Sequence, residues 1–144
     1  MVKSSMPTLK NLTETRVKKL ASDLAKEYKE QDIVIGLSGQ LGAGKTTFAK
    51  SFATELGVKK VKSPTFIVVS EYKLKDKRFY HIDFYRLTHL DQLQSLGLTD
   101  LLHSKKRIVL IEWVDKFPEI REACDIIIKF KIKKNLRDVQ INYP

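Results

Sequence analysis

The residues best suited to chemistry form one run, Gly39-Gln40-Leu41-Gly42-Ala43-Gly44-Lys45-Thr46, with Thr47 behind it. It meets the phosphate-binding pattern G-x-x-x-x-G-K-[ST] at every fixed position. Each residue type has a task there. The backbone N–H groups of Gly42, Ala43 and Gly44 can converge on an anion, and glycine lets the main chain approach it closely. Lys45 can reach the outer phosphates of a nucleotide. The hydroxyl of Thr46 can ligate a magnesium ion, with Thr47 next to it at the start of a helix. The plainer explanation is a glycine-rich turn between a strand and a helix that happens to carry a surface lysine. The complete pattern in a strand–loop–helix context favours a nucleotide site.

Hydrolysis of a bound nucleotide asks for more. Magnesium needs oxygen ligands besides the threonine hydroxyl, and some group must orient the attacking water. Glu112 closes the apolar run Ile108-Val109-Leu110-Ile111, as the acid of a Walker-B-type strand does, and is expected on the metal side. Asp83 lies in His81-Ile82-Asp83-Phe84-Tyr85-Arg86 and is expected to sense the γ-phosphate or orient the water. If Ile82 and Phe84 point into the core, His81, Asp83 and Tyr85 share the opposite face of that strand. Ser63-Pro64-Thr65 offers hydroxyls on a turn stiffened by Pro64. Plainer roles compete: Asp83 and Arg86 could form a surface ion pair, Trp113 could belong to the core, and His89 and His103 have no evident chemical task.

These groups need a frame. Asp32 to Ser38 is a short, β-branched apolar run, as a buried strand would be, and Lys45 to Leu56 has helical spacing that stops at Gly57. Helical spacing from Asn11 to Lys29 predicts an earlier helix, with Asn11 or Thr13 as its cap and Glu14 in its first turn. After a connector over Val58 to Lys62, a strand runs from Ser63-Pro64-Thr65-Phe66 to Tyr72. Phe79 to Tyr85 returns as its antiparallel partner across a polar turn at Lys73 to Arg78. Thr88 can cap a short helix through Leu96, ended by Gly97. Arg107 to Trp113 is the second buried strand, and Pro118 breaks the segment behind it. Asp125 to Ile132 and Arg137 to Ile141 read as a terminal strand pair joined by Lys133 to Leu136.

The chain has 144 residues, 42% hydrophobic and 31% charged, which fits a single globular domain over residues 1–144. No run approaches the ~20 apolar residues of a membrane span, and Met1 to Lys10 lacks the apolar stretch of a signal peptide. A single cysteine, Cys124, excludes an intrachain disulfide and a cysteine-based metal cluster. Cytoplasm is the expected compartment. The net charge of +10 would favour a polyanion such as tRNA, although no aromatic-interleaved basic motif supports direct RNA reading. An Asn-Lys-x-Asp motif for guanine is absent, and no arginine-rich lid argues for a small-molecule kinase.

Four motifs in order, Gly-x-Leu-Gly-Ala-Gly-Lys-Thr-Thr, Ser-Pro-Thr-Phe, His-x-Asp-x-Tyr-Arg and Leu-Ile-Glu-Trp, resemble those of the small bacterial P-loop ATPase family TsaE, also called YjeE. The resemblance runs from Glu14-Thr15 to the last strand. It implies an α/β, P-loop NTPase-like three-layer fold with a mixed central sheet. It further implies ATP and Mg2+ as cofactors, a role in threonylcarbamoyladenosine modification of tRNA, and a TsaD–TsaB-like complex as partner. Carried over, Lys45 and Thr46 contact phosphate and metal, Glu112 is the metal-side acid and Asp83 the switch residue. Thr15 and Arg137 match outer nucleotide contacts. Gln40 departs from the family, where aspartate is usual; the backbone cradle does not depend on that side chain. The alternative is a nucleotide-dependent interaction module whose turnover is incidental.

Overall fold

The structure, a computed structural model, describes residues 7–61 and 68–143. Its two most apolar runs become neighbouring parallel strands at the centre of the molecule: β2 (Ile33–Gly39) and β5 (Arg107–Glu112), paired from Ile33↔Ile108 to Leu37↔Glu112. A strand covered on both faces needs apolar residues at consecutive positions, which explains why these runs do not alternate. Around them lie β1 (Thr8–Leu12), β3 (Val69–Lys73), β4 (Arg78–Asp83), β6 (Ile126–Lys133) and β7 (Leu136–Asn142). The order across the seven-stranded sheet is β1-β7-β6-β2-β5-β4-β3. β2 is parallel to β5 and β6, and β4 is parallel to β5; the β3–β4, β6–β7 and β1–β7 pairs are antiparallel. The sheet is therefore mixed, with a parallel centre and antiparallel flanks.

Helices α1 (Glu14–Tyr28) and α2 (Lys45–Glu55) cover one face of the sheet. Their apolar stripes, Val17, Ala21, Leu24 and Ala25 on one and Phe48, Ala49, Phe52 and Ala53 on the other, close over Ile35, Leu37, Leu110 and Ile128. Short helices α3 (Asp91–Ser95), α4 (Leu98–His103) and α5 (Pro118–Glu122), with a 3₁₀ turn at Val114–Lys116, cover the other face. There Leu93, Leu98, Leu102 and Val114 pack on Val34, Val109 and Ile111. The result is the expected α/β three-layer arrangement. No helix among the described residues is long and apolar enough to cross a membrane.

Several expectations need correction. The first helix begins at Glu14, capped by Thr13, whose hydroxyl accepts the Arg16 N–H at 3.2 Å; Asn11 instead belongs to β1, at φ 59. Thr88 does not cap the helix after it. The Gln92 side chain reaches back and accepts the Thr88 and His89 N–H groups, both at 2.9 Å. Gly97, at φ 69, ends α3 and opens a second helix, α4, which the turn signals alone do not predict. Pro118 starts a helix at its first position, where its missing N–H costs nothing. The expected Ser63–Phe66 entry lies outside the described residues; the hairpin beyond it forms, with Ser70 facing His81 in register.

Candidate functional site

Parallel pairing brings the carboxyl ends of β2, β5 and β4 to one edge of the sheet, the edge where open α/β sheets bind ligands. Leu37 pairs with Glu112, and Glu112 with Asp83, so two acids from strands far apart in sequence become neighbours. The chain leaves β2 through the glycine loop and turns into α2, whose N-terminus points back at the same edge. A Cβ on Gly39 would lie 2.6 Å from the Phe130 carbonyl oxygen, so only glycine lets the loop leave the sheet here. Gly44 caps α2 at φ 104, a left-handed conformation that side chains rarely adopt.

Between loop and strand ends opens a cleft of about 410 Å³, within the range of small-molecule sites. Gly42, Gly44, Lys45, Thr46, Thr47, Asp83, Glu112 and Arg137 all line it. Lys45 is only 5% exposed; its Nζ donates to the carbonyl oxygens of Gly39 and Gln40 and sits 4.0 Å from the centroid of the Trp113 ring. Burial lowers the pKa of Lys45, opposed by the carboxylates of Glu112, Asp83 and Asp115. Glu112, 2% exposed, is held at both oxygens. Thr46 Oγ1 donates to Oε1 at 3.0 Å, and His81 Nε2 lies 2.6 Å from Oε2. Burial raises the pKa of Asp83, opposed by the Tyr85 N–H, which donates to its Oδ1 at 2.9 Å.

Two sequence-derived candidates fall outside the cleft lining. Thr15 is exposed, and α1 contributes Glu14 and Val17 instead. Ala43 is buried in the core, its N–H bonded to the Gln40 carbonyl at 3.1 Å. Arg137 reaches the loop from β7, donating to the Gly42 carbonyl at 3.1 Å. The expected face of His81, Asp83 and Tyr85 is split. His81 is buried, while Tyr85 lies past the end of β4, exposed, its ring 5.2 Å from that of Trp113. Residue type favours a core role for Trp113, yet it turns out of β5 at φ 60 and lines the cleft. Its place directly after the acid of an apolar strand is the signal the sequence offers.

The groups divide as a polyphosphate with a hard cation requires. The glycine loop and Lys45 line one side, the Thr46 hydroxyl follows them, and the carboxylates of Asp83 and Glu112 come from the strand ends. Lys45 could neutralise phosphate charge, and Thr46 with Glu112 could hold magnesium together with phosphate oxygens. Trp113, Leu41 and Val17 add apolar surface for a flat ring.

Comparison with known proteins gives a consistent set of relatives. A family model described as "Threonylcarbamoyl adenosine biosynthesis protein TsaE" matches residues 11–140. A protein of Haemophilus influenzae named tRNA threonylcarbamoyladenosine biosynthesis protein TsaE is 36% identical over 125 residues, covering 86% of this chain and 78% of its own. One of the same name from Aquifex aeolicus is 37% identical, covering 85% and 86%. The crystal structure of Bacillus subtilis YdiB superposes with a TM-score of 0.71 at 28% identity, covering 99% of this chain and 87% of the other.

Proposed function

We propose, because this chain belongs to the TsaE family, that it serves tRNA threonylcarbamoyladenosine biosynthesis as a single-domain, magnesium-dependent ATPase. The observation that supports this most is the convergence of Lys45, Thr46, Asp83 and Glu112 on one cleft at the carboxyl ends of β2, β4 and β5. In this reading the loop N–H groups and Lys45 bind the phosphates, and Thr46 and Glu112 hold magnesium. Magnesium, when bound, neutralises charge on the phosphate oxygens. Asp83 faces the γ-phosphate and orients water. Arg137 braces the loop through the Gly42 carbonyl. The protein acts in the cytoplasm.

The same inventory argues for slow turnover in isolation. Phosphoryl transfer depends on positioning and on cations that stabilise charge on the transferring group. The loop contains no arginine, and Lys45 is engaged with the Gly39 and Gln40 carbonyls. A TsaD–TsaB-like pair, by completing this site, would accelerate hydrolysis, and ATP turnover would reset that complex between rounds of modification. Steady-state phosphate release with and without the purified pair tests the reading. Expected is a weak rate for the chain alone, at least about tenfold stimulation by the partners, and loss of the stimulated rate in Asp83→Asn. P-loop enzymes given an arginine by a partner gain roughly 10³–10⁵-fold, so the range is available. A fast rate indifferent to partners and to Asp83→Asn would contradict it.

A further inference from the structure

Glu112 ends β5, and nothing in the strand's backbone decides where its carboxylate points. Two side chains do. One is Thr46, at the first turn of α2. The other is His81, two residues before Asp83 on the neighbouring strand, as deeply buried as Glu112 itself at 2% exposure. Its Nε2 lies 2.6 Å from Glu112 Oε2, while Thr46 occupies Oε1. The histidine's polar contact goes to this acid and not to its cross-strand neighbour. Ser70, paired with His81 in register and also 2% exposed, has a hydroxyl with no hydrogen-bond partner among the described residues.

We propose that His81 is a positioning residue: its Nε2–H fixes one oxygen of Glu112, leaving the other directed at Thr46 and the metal side of the cleft. This rests on the reading of the cleft as a magnesium–nucleotide site. An ionised carboxylate can only accept hydrogen bonds, so the contact requires a hydrogen on Nε2. A buried carboxylate deprived of one partner is poorly solvated and free to rotate away from the metal position. Groups that orient a ligating carboxylate typically change metal affinity by about 10–100-fold when removed, although they never touch the ion.

Two measurements test this, the first on the unaltered chain. Long-range ¹H–¹⁵N correlation of the histidine side chains is expected to show His81 as the Nε2–H tautomer with a proton protected from solvent exchange. An Nδ1–H tautomer would overturn the proposal without any variant. The second is calorimetry of ADP binding with and without magnesium for the wild type, His81→Leu and His81→Gln. In His81→Leu the tightening caused by magnesium should shrink by about 10–100-fold, with magnesium-free affinity within about twofold of wild type. His81→Gln, which keeps a donor, should recover most of it. Equal losses with and without magnesium would mark a merely structural histidine and overturn the proposal, as would a full magnesium effect in His81→Leu. Should His81→Leu fail to fold, the tautomer decides together with His81→Gln, which must stay close to wild type. A wild type that binds no ADP, or binds it indifferently to magnesium, would defeat the site reading and this proposal together. A normal wild type beside an undiminished His81→Leu defeats the positioning role alone.

Discussion

Two aspartates, one in each half of the sheet, have their pKa shifted in opposite directions. Asp83, at the end of central strand β4, has its pKa raised by burial. Asp138, on flanking strand β7, has its pKa lowered by the Asn11 N–H and by Lys133, whose Nζ lies 3.0 Å away. The parallel centre, β2, β5 and β4, is roofed by helices on both faces, and it and the first turn of α2 above it still hold His81, Glu112 and Lys45 at 5% exposure or less. The flank, β6 and β7, is roofed on one face by α1 and α2. Its other face carries Lys129, Lys131 and Lys133, all exposed. Lysines thus stand exposed on the flank while Lys45 is buried in the centre, and Asp138, although only 9% exposed, keeps an ionic partner in Lys133. Desolvating charge is costly unless partners or a ligand compensate. A fold that tolerates that cost at one edge, where Lys45, Asp83 and Glu112 also line one cleft, supports the proposal that chemistry takes place there.

The contrast can be broken by mutation. The largest effect is expected in the centre. Leu110 is fully buried on β5 beneath α2, so Leu110→Ala should destabilise the chain by about 2–5 kcal/mol in chemical denaturation. A loss below about 1 kcal/mol, well under the usual cost of such a truncation, would mean that the centre is loosely packed. Next comes Cys124, which closes the back of the centre: a Cβ on Gly36 of β2 would lie 3.0 Å from its Sγ. Burial, with Asp125 adding to it, pushes the thiol up to about 12. At about pH 8 the reactive thiolate is then scarce in the folded chain and recovers on unfolding. Iodoacetamide should modify native Cys124 more than about a hundredfold slower than denatured chain, measured by mass spectrometry. Comparable rates would show the back of the sheet open. The smallest effect belongs to the flank: Lys131→Ala should leave the melting midpoint within about 2 °C of wild type.

How much of the molecule is legible in its sequence divides along the same line. The glycine loop, its strand and its helix depend on local pattern, and the structure shifts their bounds by only a residue or so. β1 is different. Thr8, Leu9, Lys10 and Asn11 are exposed and Leu12 alone is buried, so the strand has no apolar face to announce it. It exists because β7 pairs with it and the Asn11 N–H finds Asp138 Oδ1 at 2.9 Å. No local signal carries a pairing across 127 residues. The second helix of the back layer is present in the spacing of Leu98, Leu101 and Leu102, but Gly97 signals an ending more strongly than a beginning. Among site residues, Lys45, Thr46, Asp83 and Glu112 can be named because their types suit the chemistry. That His81 meets Glu112 depends on the register between β4 and β5, which residue types do not encode. Thr15 rests on motif alignment alone, and a helix starting at Glu14 turns Glu14 and Val17 to the cleft instead.

On the proposed function, the buried Lys45 at the strand ends serves Mg–ATP, whereas the exposed lysines of the flank do not. Calorimetric titration of ATP in the presence of magnesium, run in parallel on wild type, Lys45→Ala and Lys131→Ala, tests it most directly. Charge-assisted hydrogen bonds contribute roughly 1.5–3 kcal/mol, so Lys45→Ala should weaken binding by about tenfold to a hundredfold while Lys131→Ala binds as wild type does. Unchanged affinity in Lys45→Ala, or an equal loss in both variants, would contradict the account.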